Sequence, residues 1–391
     1  MANNCSRFNM KASISGVRLL KRKILFVGPL PPPVHGVAVV MDCLVTCNLS
    51  SWYETEILDI ADRGPNAAKT IGRFSFSNAL QAVWNTFRLF RLCFRFRPDV
   101  VYLFISQGRW GFLRDSLFIR IARLFKARII ANLGGAYFRK FYESQKPGRQ
   151  KRIRRTLNRI DLIQVLGGRL KEIFKDLVPE EKVTVTPNGI DITHFAGVAQ
   201  QRRKRPPGKN ILYLSSMIVG KGVVDLVEAF AFVAQRHGDA VLHLVGPWTR
   251  KKDPEIIKSA IEKSIYMDRI RYHGTLMGDE KLEMFANADV FVLPTYYRNE
   301  GQPMVLLEAM ASGLPIITCE RGAVTDMVVD KRGGYVVPPR SPREIANAII
   351  KVFDSPELSS GFSEFNTARV EKMYSMEIFA GKNRDDIESV L

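Results

Sequence analysis

The chain has 391 residues, of which 46% are hydrophobic and 25% are charged, and this composition excludes a disordered or low-complexity protein. Its formal net charge is +19, and its five cysteines form no CxxC pair, which disfavours a disulfide framework or a zinc site. The sequence has no uncharged apolar run near the roughly 20 residues that span a bilayer, and residues 1–20 lack the apolar core of a secretory signal. We therefore expect a cytoplasmic protein with two domains.

Short β-branched runs alternate with helical stretches along the chain, a pattern typical of parallel sheets with crossover helices. The runs fall into two sets, and each set is long enough for one doubly wound sheet. The predicted strands of the first set are 24–27, 100–105, 128–131, 162–166 and 183–186. Those of the second set are 211–214, 240–245, 270–272, 290–293 and 315–318.

The domain boundary is predicted from a polar, basic stretch that contains Pro206, Pro207 and Gly208, a composition typical of linkers. The resulting organisation is a flexible extension (1–20), a first domain (21–195), a linker (196–210), a second domain (211–375) and a C-terminal helix (376–391).

The excess of positive over negative charge lies entirely in the first half of the chain. Residues 1–190 contain 32 Lys and Arg against 13 Asp and Glu, whereas residues 191–391 contain 26 of each. Such asymmetry suggests a membrane surface or a nucleic acid as the partner of the first half. No helix-turn-helix, RNP-like aromatic pattern or zinc spacing supports a nucleic acid, so we expect none.

Two basic helical stretches stand out in this half. In residues 78–97, Leu80, Val83, Phe87, Phe90 and Phe94 share one face, beside a stripe of Arg88, Arg91 and Arg95. In residues 149–159, three arginines follow helical spacing: Arg152, Arg155 and Arg159. Each stretch fits either a helix that packs on the core with a solvated rim or one that contacts anionic lipid, where each basic side chain contributes ~1 kcal/mol.

The loop after the first strand reads GPLPPPVHGVA (28–38) and lies at the carboxyl edge of the predicted sheet, where ligands bind in open α/β folds. Gly36, at the start of the following helix, allows backbone N–H groups to approach a phosphate closely. His35 is either a turn residue or a phosphate contact. The loop lacks the G-x-G-x-x-G spacing of a dinucleotide-binding fingerprint.

A second loop, SSMIVGKG (215–222), also follows a strand. Lys221 between two glycines at a helix start is placed to neutralise a phosphate, or it is an ordinary helix-entry lysine. The segment is not a P-loop, because Gly222 stands where Ser or Thr would hold magnesium.

The strongest motif is EGQPMVLLEAMASGLP (300–315), directly after the buried strand 290–293. Pro303 suits the first position of a helix, and Ser312-Gly313 supplies its stop. The free N–H groups of Met304 and Val305 at the helix N-terminus form an anion site. Glu300 and Glu308 flank this site; carboxylates repel a phosphate but accept hydrogen bonds from sugar and ribose hydroxyls.

Together these segments resemble the retaining glycosyltransferases of family 4, which build bacterial polysaccharides and glycolipids. The E-x7-E signature of that family is matched by Glu300 and Glu308, and the segments VGPLPPPVHGVAVVM, VTPNGIDITHF, KGVVDLVEAF, HLVGP, YHGTL, ANADVFVLPT and GGYVVPP extend the resemblance over most of the chain. It implies the GT-B fold: two Rossmann-like domains that face each other across a cleft, with the C-terminal helix crossing back to the first domain.

The resemblance implies a retaining transfer of a hexose from a nucleotide-diphosphate sugar to a glycan or polyprenyl-diphosphate-linked acceptor, without a metal or other cofactor. Glu300 is the implied catalytic residue, beside the reacting anomeric carbon. Lys221 binds the diphosphate and Glu308 the ribose in this interpretation. The remaining implied donor-binding residues are Gly36, Gly274, Thr275, Gly301, Gln302, Pro303, Met304 and Val305. The enzyme is expected on the inner face of the plasma membrane, held by its basic first domain.

Three departures from the family concern its phosphate and acceptor contacts. Ser215-Ser216 stand where the family has Gly-Arg, and the predicted substitute for that arginine is either Arg298 or an arginine of the first domain. The first loop has Gly36-Val37 in place of a glycine pair. Asn132 stands where many relatives carry a histidine. Arg109 and Arg114, in the loop after strand 100–105, are candidate contacts of a lipid-linked phosphate, although a structural role near Asp115 is equally compatible with their position.

Two alternatives to the transferase remain open from the sequence. One is a non-catalytic or nucleic-acid-binding basic protein on a degenerate version of the same fold. The other is a sugar epimerase or phosphorylase that shares the fold.

Overall fold

The structure is a computed structural model that describes residues 21–63 and 76–391, with the side chains of 76–78 left out. The predicted extension 1–20 lies outside the described residues. The described chain forms two α/β domains, each built on a six-stranded sheet in which all neighbouring strands pair in parallel.

The first sheet has the strand order β2-β1-β3-β4-β5-β6. Its strands are β1 (Lys23–Gly28), β2 (Glu54–Asp59), β3 (Val100–Phe104), β4 (Arg128–Leu133), β5 (Leu162–Val165) and β6 (Val183–Val185). Its helices are α1 (Gly36–Thr46), α2 (Phe76–Phe96), α3 (Arg109–Leu124), α4 (Phe138–Glu143) and α5 (Pro147–Leu157). The strand order reverses between β1 and β3, which makes their carboxyl ends the topological switch point of this sheet.

The second sheet has the order β12-β11-β10-β7-β8-β9. Its strands are β7 (Asn210–Leu214), β8 (Val241–Val245), β9 (Ile270–Tyr272), β10 (Val290–Leu293), β11 (Ile316–Cys319) and β12 (Gly334–Val337). The helices that follow β6 are α6 (Thr193–Lys204), α7 (Val223–Arg236), α8 (Asp253–Glu262), α9 (Gly278–Asn287), α10 (Met304–Ala311), α11 (Val324–Met327), α12 (Pro342–Asp354), α13 (Pro356–Tyr374) and α14 (Met376–Val390). Here the switch point lies between β7 and β10.

The ten predicted strands are all present, with ends that shift by at most two residues. Central strands such as β3 and β10 are buried along their whole length, because helices cover both faces of a parallel sheet, and they therefore carry continuous apolar runs. The sequence prediction missed the edge strands β2 and β12. β2 reads ETEILD and buries only Leu58 fully, so it carries no apolar run.

Residues 196–210, predicted as the linker, are helical as far as Lys204, because α6 continues through them. α6 packs Phe195 and Val198 into the core of the second domain, and Arg202 donates from Nε to the carbonyl of Ala288 at 3.0 Å. The basic residues of this stretch divide between two environments: Arg203 and Lys204 are exposed, whereas Arg202 and Arg205 contact the second domain.

The C-terminal helix α14 crosses back to the first domain, as predicted. Phe379 and Ile387 are buried in that domain's core. The carboxylate of Asp386 accepts hydrogen bonds from Thr186 Oγ1 at 2.6 Å and from Gln164 Nε2 at 2.7 Å. Apolar burial and a polar network thus join α14 to the first sheet.

Helix α2 does not pack its predicted apolar face on the core, which was one of the two alternatives that the sequence left open. Its buried residues are Leu89, Cys93 and Phe96, whereas the residues predicted for the apolar face are exposed: Leu80 (57%), Val83 (69%), Phe87 (56%), Phe90 (43%) and Phe94 (64%). The basic stretch 149–159 lies largely on α5, where Ile153 and Leu157 are buried and Arg152, Arg155 and Arg159 are exposed. Among the residues that the structure describes, no helix is long and apolar enough to cross a membrane.

Asp386 gives the contact between α14 and the first domain a pH dependence. Burial raises the pKa of this carboxyl above its ordinary value. A raised folded-state pKa stabilises the protein at pH values below the ordinary pKa, and this contribution is lost as the pH rises through the folded value. We expect the free energy of unfolding of the wild type to fall relative to Asp386→Asn as the pH rises from about 4.

Chemical denaturation of both proteins across this pH range measures the difference. The control is Glu377→Gln, which changes an exposed carboxylate on the same helix and is expected to follow the wild type. A pH-independent difference between Asp386→Asn and the wild type would contradict the prediction.

Candidate active site

A cavity of about 360 Å³ lies where the switch points of the two sheets face each other. From the first domain it is lined by the helix start after β1, by Phe104 at the end of β3 and by Asn132 on β4. From the second domain it is lined by the loops after β7 and β10. It brings together these predicted site residues: His35, Gly36, Asn132, Lys221, Glu300, Gly301, Gln302, Pro303, Met304 and Val305.

A buried ion pair forms one wall of the cavity. Lys221 Nζ lies 2.7 Å from Glu300 Oε2, and the two side chains are only 13% and 8% exposed. Thr295 Oγ1 donates to the same carboxylate oxygen at 2.9 Å. Lys221 ends a short 3-10 turn, and the next residue, Gly222, has φ +80° and packs so closely on the carbonyl of Pro294 that a side chain has no room. The loop after β7 is thereby held against the loop after β10.

The N-terminus of α10 forms a second wall. Pro303 is the N-cap of α10, one residue before the helical position predicted for it, and no side chain caps the helix. The first N–H groups of the helix, on Met304 and Val305, therefore have no side-chain acceptor there, and the helix dipole places partial positive charge beside Lys221. This wall suits an anionic group.

Gly301 and Gln302 hold the two domains together at the cavity. A Cβ on Gly301 would lie 2.5 Å from the carbonyl oxygen of Gly134, so only glycine permits this approach of the two backbones. Gln302 Oε1 accepts a hydrogen bond from the backbone N–H of Asn188 at 2.7 Å. The carboxyl edges of the two sheets are therefore in direct contact in this structure.

Three buried polar atoms on residues that line the cavity have no hydrogen-bond partner among the residues described. They are Asn132 Oδ1, Asn299 Oδ1 and Gln302 Nε2. The amide nitrogen of Asn132 donates to Tyr102 and to Gln164, each at 3.2 Å, which leaves its oxygen free. Since a buried polar group without a partner costs about 1–3 kcal/mol, these atoms suit a ligand rich in hydroxyl groups.

His35 has the turn role that the sequence left open, and it also lines the cavity. It is the N-cap of α1, and its Nδ1 accepts from the N–H of Ala38 at 3.3 Å. Desolvation lowers the pKa of this histidine, so the ring is neutral at pH 7. A neutral ring whose Nδ1 accepts carries its proton on Nε2, which remains a donor for a ligand in the cavity.

Glu308 lies outside the lining of this cavity, on α10. Lys281 Nζ lies 2.7 Å from Oε1 and 2.6 Å from Oε2 of this glutamate. No local spacing in the sequence links α9 to α10, so the contact of Lys281 with Glu308 is not predictable from the sequence. Gly274 and Thr275 also lie outside the lining, after β9; Gly274 has φ +71°, and its carbonyl accepts from the N–H of Gly246 at 2.7 Å.

Three predicted arginines do not line the cavity. Arg114 donates to Asp115 Oδ1 from Nε at 3.0 Å and from a terminal nitrogen at 2.8 Å, and Asp115 is 1% exposed, which gives Arg114 the structural role that the sequence left open. Arg109 lies over the ring of Trp110 at 4.9 Å, and Arg298 is exposed over the ring of Tyr137 at 4.8 Å.

No cluster of three or more His, Cys, Asp or Glu that could hold a metal ion occurs in residues 21–63 and 76–391. Lys221 and the N-terminus of α10 supply positive charge at the cavity.

The two halves of the chain match two glycosyltransferase families. Residues 52–194 match Glycosyltransferase Family 4, and residues 198–369 match Glycosyl transferases group 1. A glycogen synthase of Mycobacterium tuberculosis is 28% identical over 191 residues, which are 49% of this chain and 44% of the relative. WcaL of Escherichia coli, a glycosyltransferase assigned to colanic acid biosynthesis, is 26% identical over 54% of this chain and 52% of its own length. The chain thus spans about half the length of these relatives.

The crystal structure of HepE from Anabaena in complex with UDP has the same fold. It superposes with a TM-score of 0.74 at 15% sequence identity, over 94% of this chain and 100% of HepE. The expected GT-B arrangement, with two parallel-sheet domains facing each other, is confirmed.

The Lys221–Glu300 pair gives a prediction about stability. We expect Lys221→Met to lower the free energy of unfolding by about 3–5 kcal/mol, because it leaves the Glu300 carboxylate buried without its cation. Adding Glu300→Gln removes the unpaired charge and should restore most of the loss. Chemical denaturation of the full chain measures both values.

The matched control is Lys263→Met, at an exposed lysine, which should change stability by no more than about 0.5 kcal/mol. If the double variant is as unstable as Lys221→Met alone, the loss does not arise from the unpaired charge.

Proposed function

Because the chain belongs to the family 4 and group 1 glycosyltransferases, we propose that it is a retaining enzyme that transfers a hexose from a nucleotide-diphosphate sugar to a glycan or polyprenyl-diphosphate-linked acceptor. The observation that carries the proposal is the single cavity in which a lysine, an uncapped helix N-terminus and a buried carboxylate meet. These are the groups that a sugar attached to a diphosphate requires.

The donor diphosphate is assigned to Lys221 and to the N–H groups of Met304 and Val305. Ser215 and Ser216 also line the cavity, and their hydroxyls are the proposed replacement for the family's arginine at this place. In this arrangement the diphosphate charge is met by protein groups, and we propose that turnover needs no metal. The expected observation is full activity in the presence of a chelator.

Glu300 is the proposed catalytic residue. Its carboxylate is held in place by Lys221 and Thr295, at the edge of the anion site. Positive charge develops at the anomeric carbon in glycosyl transfer, and a fixed carboxylate stabilises it. The bond from that carbon to the diphosphate oxygen breaks, the bond to the acceptor oxygen forms on the same face, and the acceptor proton passes to the departing diphosphate.

The hydroxyl groups of the sugars are assigned to the unpaired polar atoms of the cavity. Asn299 Oδ1 and Gln302 Nε2 belong to the second domain and suit the donor sugar. Asn132 Oδ1 belongs to the first domain and suits the acceptor, with His35 Nε2–H as a donor beside it. Each atom would regain the hydrogen bond that it lacks.

The donor base is tested by the thermal stability of the protein with UDP, GDP and ADP. UDP comes first, because it is the nucleotide bound in the Anabaena structure. Ligand at 100 times its dissociation constant stabilises the folded state by about 2.7 kcal/mol, so the correct nucleotide raises the melting temperature. If none of the three nucleotides shifts the melting temperature, the donor assignment is wrong.

Glu308 is assigned to the ribose hydroxyls of the donor. We expect Glu308→Ala to lower kcat/KM by about 100-fold to 1000-fold, since hydrogen bonds to a charged group contribute about 1.5–3 kcal/mol each. The same variant should lose the stabilisation by nucleotide. Glu364→Ala, at an exposed glutamate of α13, is the control and should behave as the wild type.

Stereochemistry separates the transferase from its alternatives. NMR of the product anomeric proton should show the configuration of the donor. An epimerised donor as the product would identify the protein as an epimerase. A sugar phosphate formed with inorganic phosphate would identify it as a phosphorylase. We also propose that the reaction takes place at the cytoplasmic face of the membrane, as part of cell-surface polysaccharide or glycolipid biosynthesis.

A further inference from the structure

The exposed face of α2 is the feature of the first domain that the proposed function does not use. Trp84 is 59% exposed, Phe87 56% and Phe94 64%, and the rings of Trp84 and Phe87 stack at 5.8 Å. On α3, Leu113 and Leu117 are 54% and 40% exposed and lie one helical turn apart. Monomeric soluble proteins rarely expose large contiguous apolar patches.

These side chains form one surface, which we name the α2–α3 ridge. Phe90 of α2 contacts Phe125, the C-cap residue of α3, and their ring centroids are 5.3 Å apart. Leu89 of α2 and Phe118 of α3 are buried in the same core cluster, so the opposite faces of both helices turn outward together. Helix α2 has 21 residues and is therefore about 30 Å long.

The exposed charges on the two helices of the ridge are of one sign. Helix α2 contains no Asp or Glu, and the one carboxylate of α3, Asp115, is buried against Arg114. Arg91, Arg95 and Arg120 are exposed and form no ion pair within the described part of the chain. Aromatic side chains flanked by unpaired arginines fit the boundary between the headgroups and acyl chains of an anionic bilayer.

We propose that the α2–α3 ridge inserts into an anionic membrane surface, with Trp84, Phe87 and Phe94 in the apolar layer and the three arginines at the phosphates. Composition alone predicts an electrostatic attraction to the membrane. The proposal adds a defined face of the protein that inserts into it. A second copy of the chain fits less well, because a symmetric contact would oppose arginines to arginines. Residues 1–20 and 64–75 contain no Asp or Glu, so neither segment complements the charge of the ridge.

One end of the ridge lies on the side of the first domain that faces the cavity. Helix α3 begins at Arg109, five residues after the carboxyl end of β3, and Phe104 at that strand end lines the cavity. One end of the ridge is therefore at the cleft edge of the first domain. If the proposed function holds, insertion places the acceptor side of the cleft near the lipids that carry the acceptor; membrane binding itself does not rest on that function.

Vesicle sedimentation with the full chain tests insertion without any sugar substrate. Vesicles of phosphatidylcholine with 30% phosphatidylglycerol should bind the wild type, and vesicles of phosphatidylcholine alone should bind it far less. The triple variant Trp84→Gln, Phe87→Gln, Phe94→Gln changes only exposed side chains, and we expect it to bind roughly 10-fold to 100-fold more weakly. Replacing Arg91, Arg95 and Arg120 by Gln should cost about 100-fold at low salt.

The control is Ile265→Gln with Met267→Gln, at exposed apolar residues of the second domain (82% and 56%), which should bind as the wild type. Equal binding of the aromatic triple variant and the wild type would overturn the proposal. So would a dimer in solution that the aromatic substitutions dissociate while vesicle binding stays unchanged. Nucleotide stabilisation of the same variants reports on the donor site separately, so a failure of the ridge is distinguishable from a failure of the proposed function.

Discussion

The structure depends on the close approach of two backbones, Gly301 of the second domain and Gly134 of the first. Each parallel sheet has its own switch point, and each could bind a ligand alone, as open α/β sheets do. The missing side chain of Gly301 lets the carboxyl edges meet, so that the loops after β1, β7 and β10 border one cavity. The hydrogen bond from Asn188 to Gln302 and the return of α14 to the first domain hold this approach in place.

Charged side chains are arranged differently in the two domains. In the second domain the cations of the site are paired: Lys221 with Glu300 and Lys281 with Glu308. A lysine held by a carboxylate is in position before an anionic ligand binds. Because each lysine has its own carboxylate, the pairs add no net charge to the second domain. In the first domain the excess arginines are spread over helix surfaces, and Arg91 and Arg95 flank an exposed aromatic face. Within the described part of the first domain, the excess positive charge therefore lies on an outer surface more than at the cavity.

The buried network beneath Asn132 shows how distant parts of the chain reach the site. Tyr102, Asn132 and Gln164 stand on three adjacent strands and exchange hydrogen bonds, and Gln164 also donates to Asp386 of α14. Nothing in the local sequence around these residues signals the network, because it forms only when β3, β4 and β5 lie side by side. The network links Asn132, which lines the cavity, to α14, which crosses from the second domain to the first.

The sequence by itself determined the elements and the local motifs. The apolar runs of the central strands and the turns that follow them predicted ten strands. The motif from Glu300 to Glu308 predicted a helix start beside a carboxylate. Strands and helix starts are predictable in this way because they depend on neighbours within about ten residues. Tertiary structure alone decided which loops meet. Lys221 and Glu300 are 79 residues apart and pair because β7 and β10 are adjacent, and Lys281 pairs with Glu308 across two helices. It also decided that the apolar face of α2 is exposed, because periodicity shows that a helix has such a face but not what covers it.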